Sequence, residues 1–150
     1  MNQPSIHEQL SHFENLHTSG MSYELLRGIL LPEILGKELP AILYWSGKNL
    51  ARKYPLSKGE EIIQFFEQMG WGTLSVVSEK KNHLEFELTS EFIAARNKSR
   101  KPASYQLESG FLAQQYEQMK NVIAEAYEDQ KKRSNKVFIT VKWDHKDSIE

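Results

Sequence analysis

At Gly70-Trp71-Gly72 the periodicity of the chain changes, and that change limits the folds open to it. Upstream, apolar residues recur every three or four positions, as on one face of a helix. Downstream, Leu74 and Val76, then Leu84, Phe86 and Leu88, recur every second position, as on one face of a strand. Glu85 and Glu87 alternate with the last three, so one face of the strand pair is buried and the other wet. This is the pattern of an α+β domain: an antiparallel sheet with helices on one side. With 150 residues there is room for one substantial core and not for two.

Three helices precede the joint. The first is expected to be capped by Ser22, with Glu24 in its first turn and Leu25, Leu26, Ile29 and Leu30 on one face; Pro32 breaks or kinks it and Gly36 closes it. The second runs from Pro40 to Tyr54, because Pro55 disfavours helix at the preceding residue. Its stripe is Leu43, Gly47, Leu50, Ala51 and Tyr54. A glycine inside a helix costs about 1 kcal/mol relative to alanine, so Gly47 implies that something packs close to the backbone, either another helix or a ligand. The third helix opens on a capping box, Ser57 to Glu60, carries Ile62, Phe65, Phe66 and Met69, and ends at Gly70. Residues 1–20 form an arm or a loosely docked helix. Its histidines, His7, His12 and His17, are five apart, which turns successive side chains by about 140° on a helix and makes no metal face.

Beyond the joint, Thr73 to Ser78 and His83 to Leu88 pair as a hairpin. A short helix capped by Ser90 follows, then a polar loop whose cations Arg96, Lys98, Arg100 and Lys101 suit either an anionic partner or, more simply, solvent. Glu108-Ser109-Gly110 opens a helix bearing Phe111, Leu112, Gln115, Tyr116 and Met119, and the helix dipole alone accounts for the acidic residue. Residues 122–133 fit either an extension of that helix or a strand. Lys136 to Asp144 is a strand and needs a neighbour, which favours a second hairpin, 123–133 with 136–144. A single domain over 21–146 and a short tail at 147–150 complete the division.

The composition narrows function. Nineteen Lys+Arg against twenty Asp+Glu give a net charge of −1, so no global field draws the chain to nucleic acid or to an anionic membrane. There is no cysteine, which removes disulfides, thiolate metal sites and thioester-linked lipid together. No stretch approaches roughly 18 apolar residues, and a cytoplasmic location is expected. No phosphate-binding glycine loop, nucleophile elbow or metal-ligand spacing occurs, so a non-catalytic module without a cofactor is expected.

Four segments carry a family resemblance: Tyr44-Trp45-Ser46-Gly47-Lys48-Asn49-Leu50-Ala51-Arg52, Met69-Gly70-Trp71-Gly72-Thr73-Leu74, Leu107-Glu108-Ser109-Gly110-Phe111-Leu112-Ala113, and Val137 to Asp144. In that order they resemble the YslB-like family, small uncharacterised proteins of Gram-positive bacteria. More remotely the pattern is similar to the ligand-binding fold shared by vinyl-4-reductase domains, haem-NO-binding domains and small subunits of the Golgi transport protein particle. The resemblance implies a helical layer on a four-stranded antiparallel sheet, a homodimer, and a small hydrophobic ligand held between helices and sheet. It also favours the second hairpin over the helix extension. Without cysteine the acyl attachment of the transport subunits is impossible, and no histidine lies within 43–54 or 110–119 to ligate haem. The expected pocket has Leu43, Gly47, Leu50 and Ala51 on one wall, Phe111 and Leu112 on another, and Trp71 at the joint. The rival expectation is a dimeric adaptor that works through protein contacts on its helical face.

Overall fold

A computed structural model describes residues 3–148. Its elements are α1 (Ile6–Ser11), α2 (Gly20–Glu24), a π-helical stretch Leu25–Leu30, α3 (Leu31–Leu35), α4 (Leu39–Lys53), α5 (Gly59–Gln68), β1 (Thr73–Lys80), β2 (His83–Thr89), α6 (Glu91–Ser99), α7 (Gln106–Lys120), β3 (Val122–Lys131) and β4 (Lys136–Ser148). The sheet is antiparallel, in the order β1-β2-β4-β3. The second hairpin therefore forms, with Lys131 opposite Lys136 and Asn135 in the left-handed conformation at the turn. Strand β4 continues through residues 147 and 148, expected as tail, while 149 and 150 lie outside the described residues. Among the described residues no helix is long and apolar enough to cross a membrane.

One face of the sheet is the floor of the core. Leu84, Phe86 and Leu88 of β2, Val137, Ile139, Val141 and Trp143 of β4, and Ala124 and Ala126 of β3 are buried there with Phe111, Leu112, Ala113 and Tyr116 of α7. Residues Glu108 to Tyr116 are all buried, so α7 is the central helix of the fold. Leu74 is buried at one edge of the sheet, whereas Val76, expected beside it, is exposed. Val76 still pairs with Phe86, on the same face as Leu74, but it lies on edge strand β1, and beyond it a bulge between Val76 and Ser78 shifts the register.

The joint behaves as the sequence requires. Gly70 and Gly72 both take positive φ, 71° and 134°, and Trp71 between them packs edge-on against Phe65, Phe66 and Phe111.

The first helix departs from expectation at its start. Ser19, not Ser22, is the cap: its hydroxyl accepts from the Ser22 N–H at 3.1 Å. Pro32 does not break the helix, which runs to Leu35 and stops, as expected, at Gly36 with φ 61°. The π-helical stretch lies immediately before the proline, and the Leu31 N–H bonds back to the Leu26 carbonyl. Pro32 thus stands near the start of α3, where its missing N–H is tolerated.

The cap of α5 is displaced by one residue. Helix α5 begins at Gly59, so Glu61 rather than Glu60 reaches back, and its carboxylate accepts from the Ser57 N–H, the Ser57 hydroxyl and the Lys58 N–H. These bonds hold the Glu61 carboxyl below the usual carboxylate range. A carboxyl with a depressed folded-state pKa stabilises above its unfolded value, and that contribution is lost as pH falls through the folded value. Glu61→Ala is accordingly expected to lower the urea midpoint at pH 7, with the gap from the parent closing in acid, while Glu60→Ala leaves the midpoint nearly unchanged.

Candidate functional site

The expected pocket is occupied by the protein's own atoms. A Cβ built on Gly47 would lie 2.1 Å from the Leu107 carbonyl oxygen and 2.7 Å from the Phe111 nitrogen; one on Gly110 would lie 2.0 Å from the Tyr44 carbonyl oxygen. The two glycines thus serve one backbone-to-backbone crossing of α4 over α7. Of the alternatives for Gly47, the neighbour is a helix. Beneath the crossing, Phe111 stacks on Phe65 with centroids 4.5 Å apart and nearly parallel planes, and Trp71 closes the cluster. Ala51, Trp71, Phe111 and Leu112 share that core, with the half-buried Leu50 packed against it. Leu43, one turn before Gly47 on α4, is buried and lines a cavity near the start of that helix.

That cavity, about 240 Å³, lies between helix 20–35, the start of α4 and residues 99–104. Its apolar lining includes Ile29, Pro32, Leu39, Leu43 and Pro102, and its charged lining is Glu24, Arg27, Arg96 and Lys101. A second cavity, about 430 Å³, shares Glu24, Arg96 and Ser99 and adds Met21 and Phe92. The Glu24–Arg96 pair therefore borders both.

One buried and one half-buried ion pair hold this region. Arg27 Nη2 donates to both carboxylate oxygens of Glu108, at 2.7 and 2.8 Å, and to the Ser104 carbonyl, while Nη1 donates to the Tyr23 hydroxyl. The side chains of Arg27 and Glu108 are 8% and 1% exposed. Arg96 Nε donates to Glu24 at 2.9 Å, Nη2 lies 2.8 Å from the same carboxylate, and Nη1 donates to the Tyr105 hydroxyl. Its guanidinium also lies over the rings of Phe92 and Tyr105.

Two sequence expectations are corrected here. Glu108 is not explained by the helix dipole, because it is the buried partner of Arg27. Arg96 does not belong to a solvated loop, because α6 continues to Ser99 and turns it inward. Both side chains meet residues more than 70 positions away, a pairing that local sequence pattern does not encode.

Helix 20–35 is packed inside out. Its polar side chains Tyr23, Glu24 and Arg27 face the body, whereas Met21, Leu25, Leu26, Ile29, Leu30 and Ile34 are exposed, Met21 at 85%, Leu26 at 60% and Ile34 at 74%. The apolar face was legible in the sequence; the side it would present was not. In the π-helical stretch i→i+5 bonding widens the turn, so residues four apart lie nearly above one another. Leu25 with Ile29, and Leu26 with Leu30, thereby form two adjacent rows.

The resolved pKa shifts move groups away from neutrality. Burial lowers Arg27 and Arg96, but their ion pairs and hydrogen bonds outweigh it, and both are raised. Burial raises Tyr44 and Tyr105, and carries Tyr116 to about 12 with help from Glu79. None of these is poised for proton transfer near pH 7. Among the described residues no three of His, Asp or Glu are grouped so as to hold a metal ion. His7 instead packs its ring on Tyr54, 4.7 Å between centroids, and docks α1.

The family described as protein of unknown function (DUF2507) matches residues 20–142. The uncharacterised protein YslB of Bacillus subtilis (strain 168) is 48% identical over 140 residues, which cover 93% of this chain and 95% of that protein. Among solved structures, a vinyl-4-reductase family protein from Methanocaldococcus jannaschii superposes with a TM-score of 0.67 at 19% identity, covering 91% of this chain and 89% of the other. At that identity the likeness is one of fold.

Proposed function

Taking as premise that the chain belongs to the DUF2507 family, we propose that it is a cytoplasmic, non-catalytic interaction module that pairs with a second copy of itself through the outward face of helix 20–35. The observation that carries this reading is the inverted packing of that helix. An amphipathic helix normally buries its apolar stripe; this one spends its polar side on two ion pairs and leaves Leu25, Leu26, Leu30 and Ile34 exposed, with Met21 and Ile29 also exposed where they border the two cavities. A contiguous apolar patch of several hundred Å² marks an interaction surface. A helix face that meets its own copy across a two-fold axis is a self-complementary way to cover it.

The test is oligomeric state. Sedimentation at micromolar concentration is expected to show a dimer for the parent and a monomer for Leu26→Glu/Ile34→Glu, with an unchanged circular dichroism spectrum and melting temperature no lower than the parent monomer's. A parent that stays monomeric throughout that range refutes the reading.

The cavity beside Leu43 favours a second activity, the binding of a small hydrophobic molecule. It is bounded by apolar side chains of the helix and of α4, with charged groups gathered at one end. Native mass spectrometry of protein purified from its own cells would show the added mass.

A further inference from the structure

Resting on the ligand reading of the cavity beside Leu43, we propose that this site selects an anionic amphiphile, a monocarboxylate on a short apolar chain, with the carboxylate at Lys101 and Ser104.

The selection follows from which polar groups there are already used. Both oxygens of Glu24 accept from Arg96, so the cavity's own carboxylate is taken. Arg27 is neutralised by Glu108 from behind, and Arg96 by Glu24. Lys101 has no carboxylate partner among the described residues, and it lines the same cavity. The Ser104 hydroxyl accepts from the Gln106 N–H, which leaves its own proton to donate. What the site still offers is therefore donors and one uncompensated positive charge. Glu24, Arg27, Arg96 and Lys101 with Glu108 amount to a single net positive charge, which a monoanion balances. The remaining wall, Ile29, Pro32, Leu39 and Leu43, offers nothing polar from its side chains and suits an alkyl chain. A cavity of about 240 Å³ restricts that chain to a short one.

Three chain-matched probes isolate the charge: octanoate, octanol and octylammonium, titrated against the full chain by calorimetry, with amide shifts followed by NMR. Octanoate is expected to bind about fivefold more tightly than octanol, the size of effect an accessible ion pair supplies, and octylammonium more weakly than either. The largest shifts should fall at Lys101, Ala103 and Ser104. Lys101→Gln is expected to abolish the preference for octanoate while leaving octanol binding intact. Equal binding of octanoate and octanol at these residues overturns the anion proposal and leaves the ligand reading standing. Failure of all three probes to bind there, or shifts confined to the outer face of helix 20–35, overturns both. A preference for octanoate that survives Lys101→Gln overturns the placement.

Discussion

Gly110→Ala is expected to destabilise the protein by about 3 kcal/mol or more, although the same exchange in a free helix would stabilise it by about 1 kcal/mol. The sign is decided by what the methyl group meets. The Cβ would lie 2.0 Å from the Tyr44 carbonyl oxygen and 2.8 Å from its carbon, both backbone atoms of α4 that cannot rotate away. Relief requires the two longest helices to part. Because α7 is buried from Glu108 to Tyr116, parting them opens the aromatic cluster of Phe65, Phe111 and Trp71 as well. Gly47→Ala raises the same conflict from the other side, against the Leu107 oxygen. Gly59→Ala is the control, since its Cβ would sit 3.5 Å from the Tyr116 hydroxyl, an ordinary contact. Urea denaturation should show a large loss for the first two and almost none for the third. A Gly110→Ala protein as stable as its parent would mean that α4 and α7 do not cross there.

These glycines also show how far the sequence could be read. Gly47 and Gly110 announced a close approach, because a mid-helix glycine is costly unless something uses the space. They could not say whether a helix or a ligand filled it, since that depends on a partner in another segment. The joint at residues 70–72 and the strand alternation around 84–88 were legible because their causes are local: positive φ and period two. The exposure of Val76 was not, because alternation gives the face a residue takes and not whether its strand lies at the edge of the sheet. The cavity residues were harder still. Arg27 stands on the polar side of an amphipathic helix and Arg96 in a basic run, and neither shows a partner until Glu108 and Glu24 are brought to it. A hydrophobic stripe likewise states that an apolar face exists, and leaves open whether it turns to the core or away.

The Arg27–Glu108 pair is what makes the outward orientation of helix 20–35 testable in energetic terms. Arg27→Ala is expected to cost about 3–5 kcal/mol, because it leaves the Glu108 carboxylate, 1% exposed, without a countercharge. Most of that cost is the stranded charge rather than the worth of the pair. Arg27→Met/Glu108→Met should therefore be far closer to the parent than Arg27→Ala alone, the residual loss reflecting the donors taken from the Ser104 carbonyl and the Tyr23 hydroxyl. A double-mutant cycle in urea measures the difference, and a double variant as damaged as the single one would contradict the account. Limited proteolysis then separates clamp from core. If the two ion pairs hold the helix and the apolar core holds the sheet, Arg27→Ala opens cleavage around residues 12–19 and 36–38 before β2 and β4 lose amide protection. On the proposed pairing through helix 20–35, such a protein should also fail to dimerise while its sheet remains folded, because the apolar rows would no longer be presented on a fixed surface.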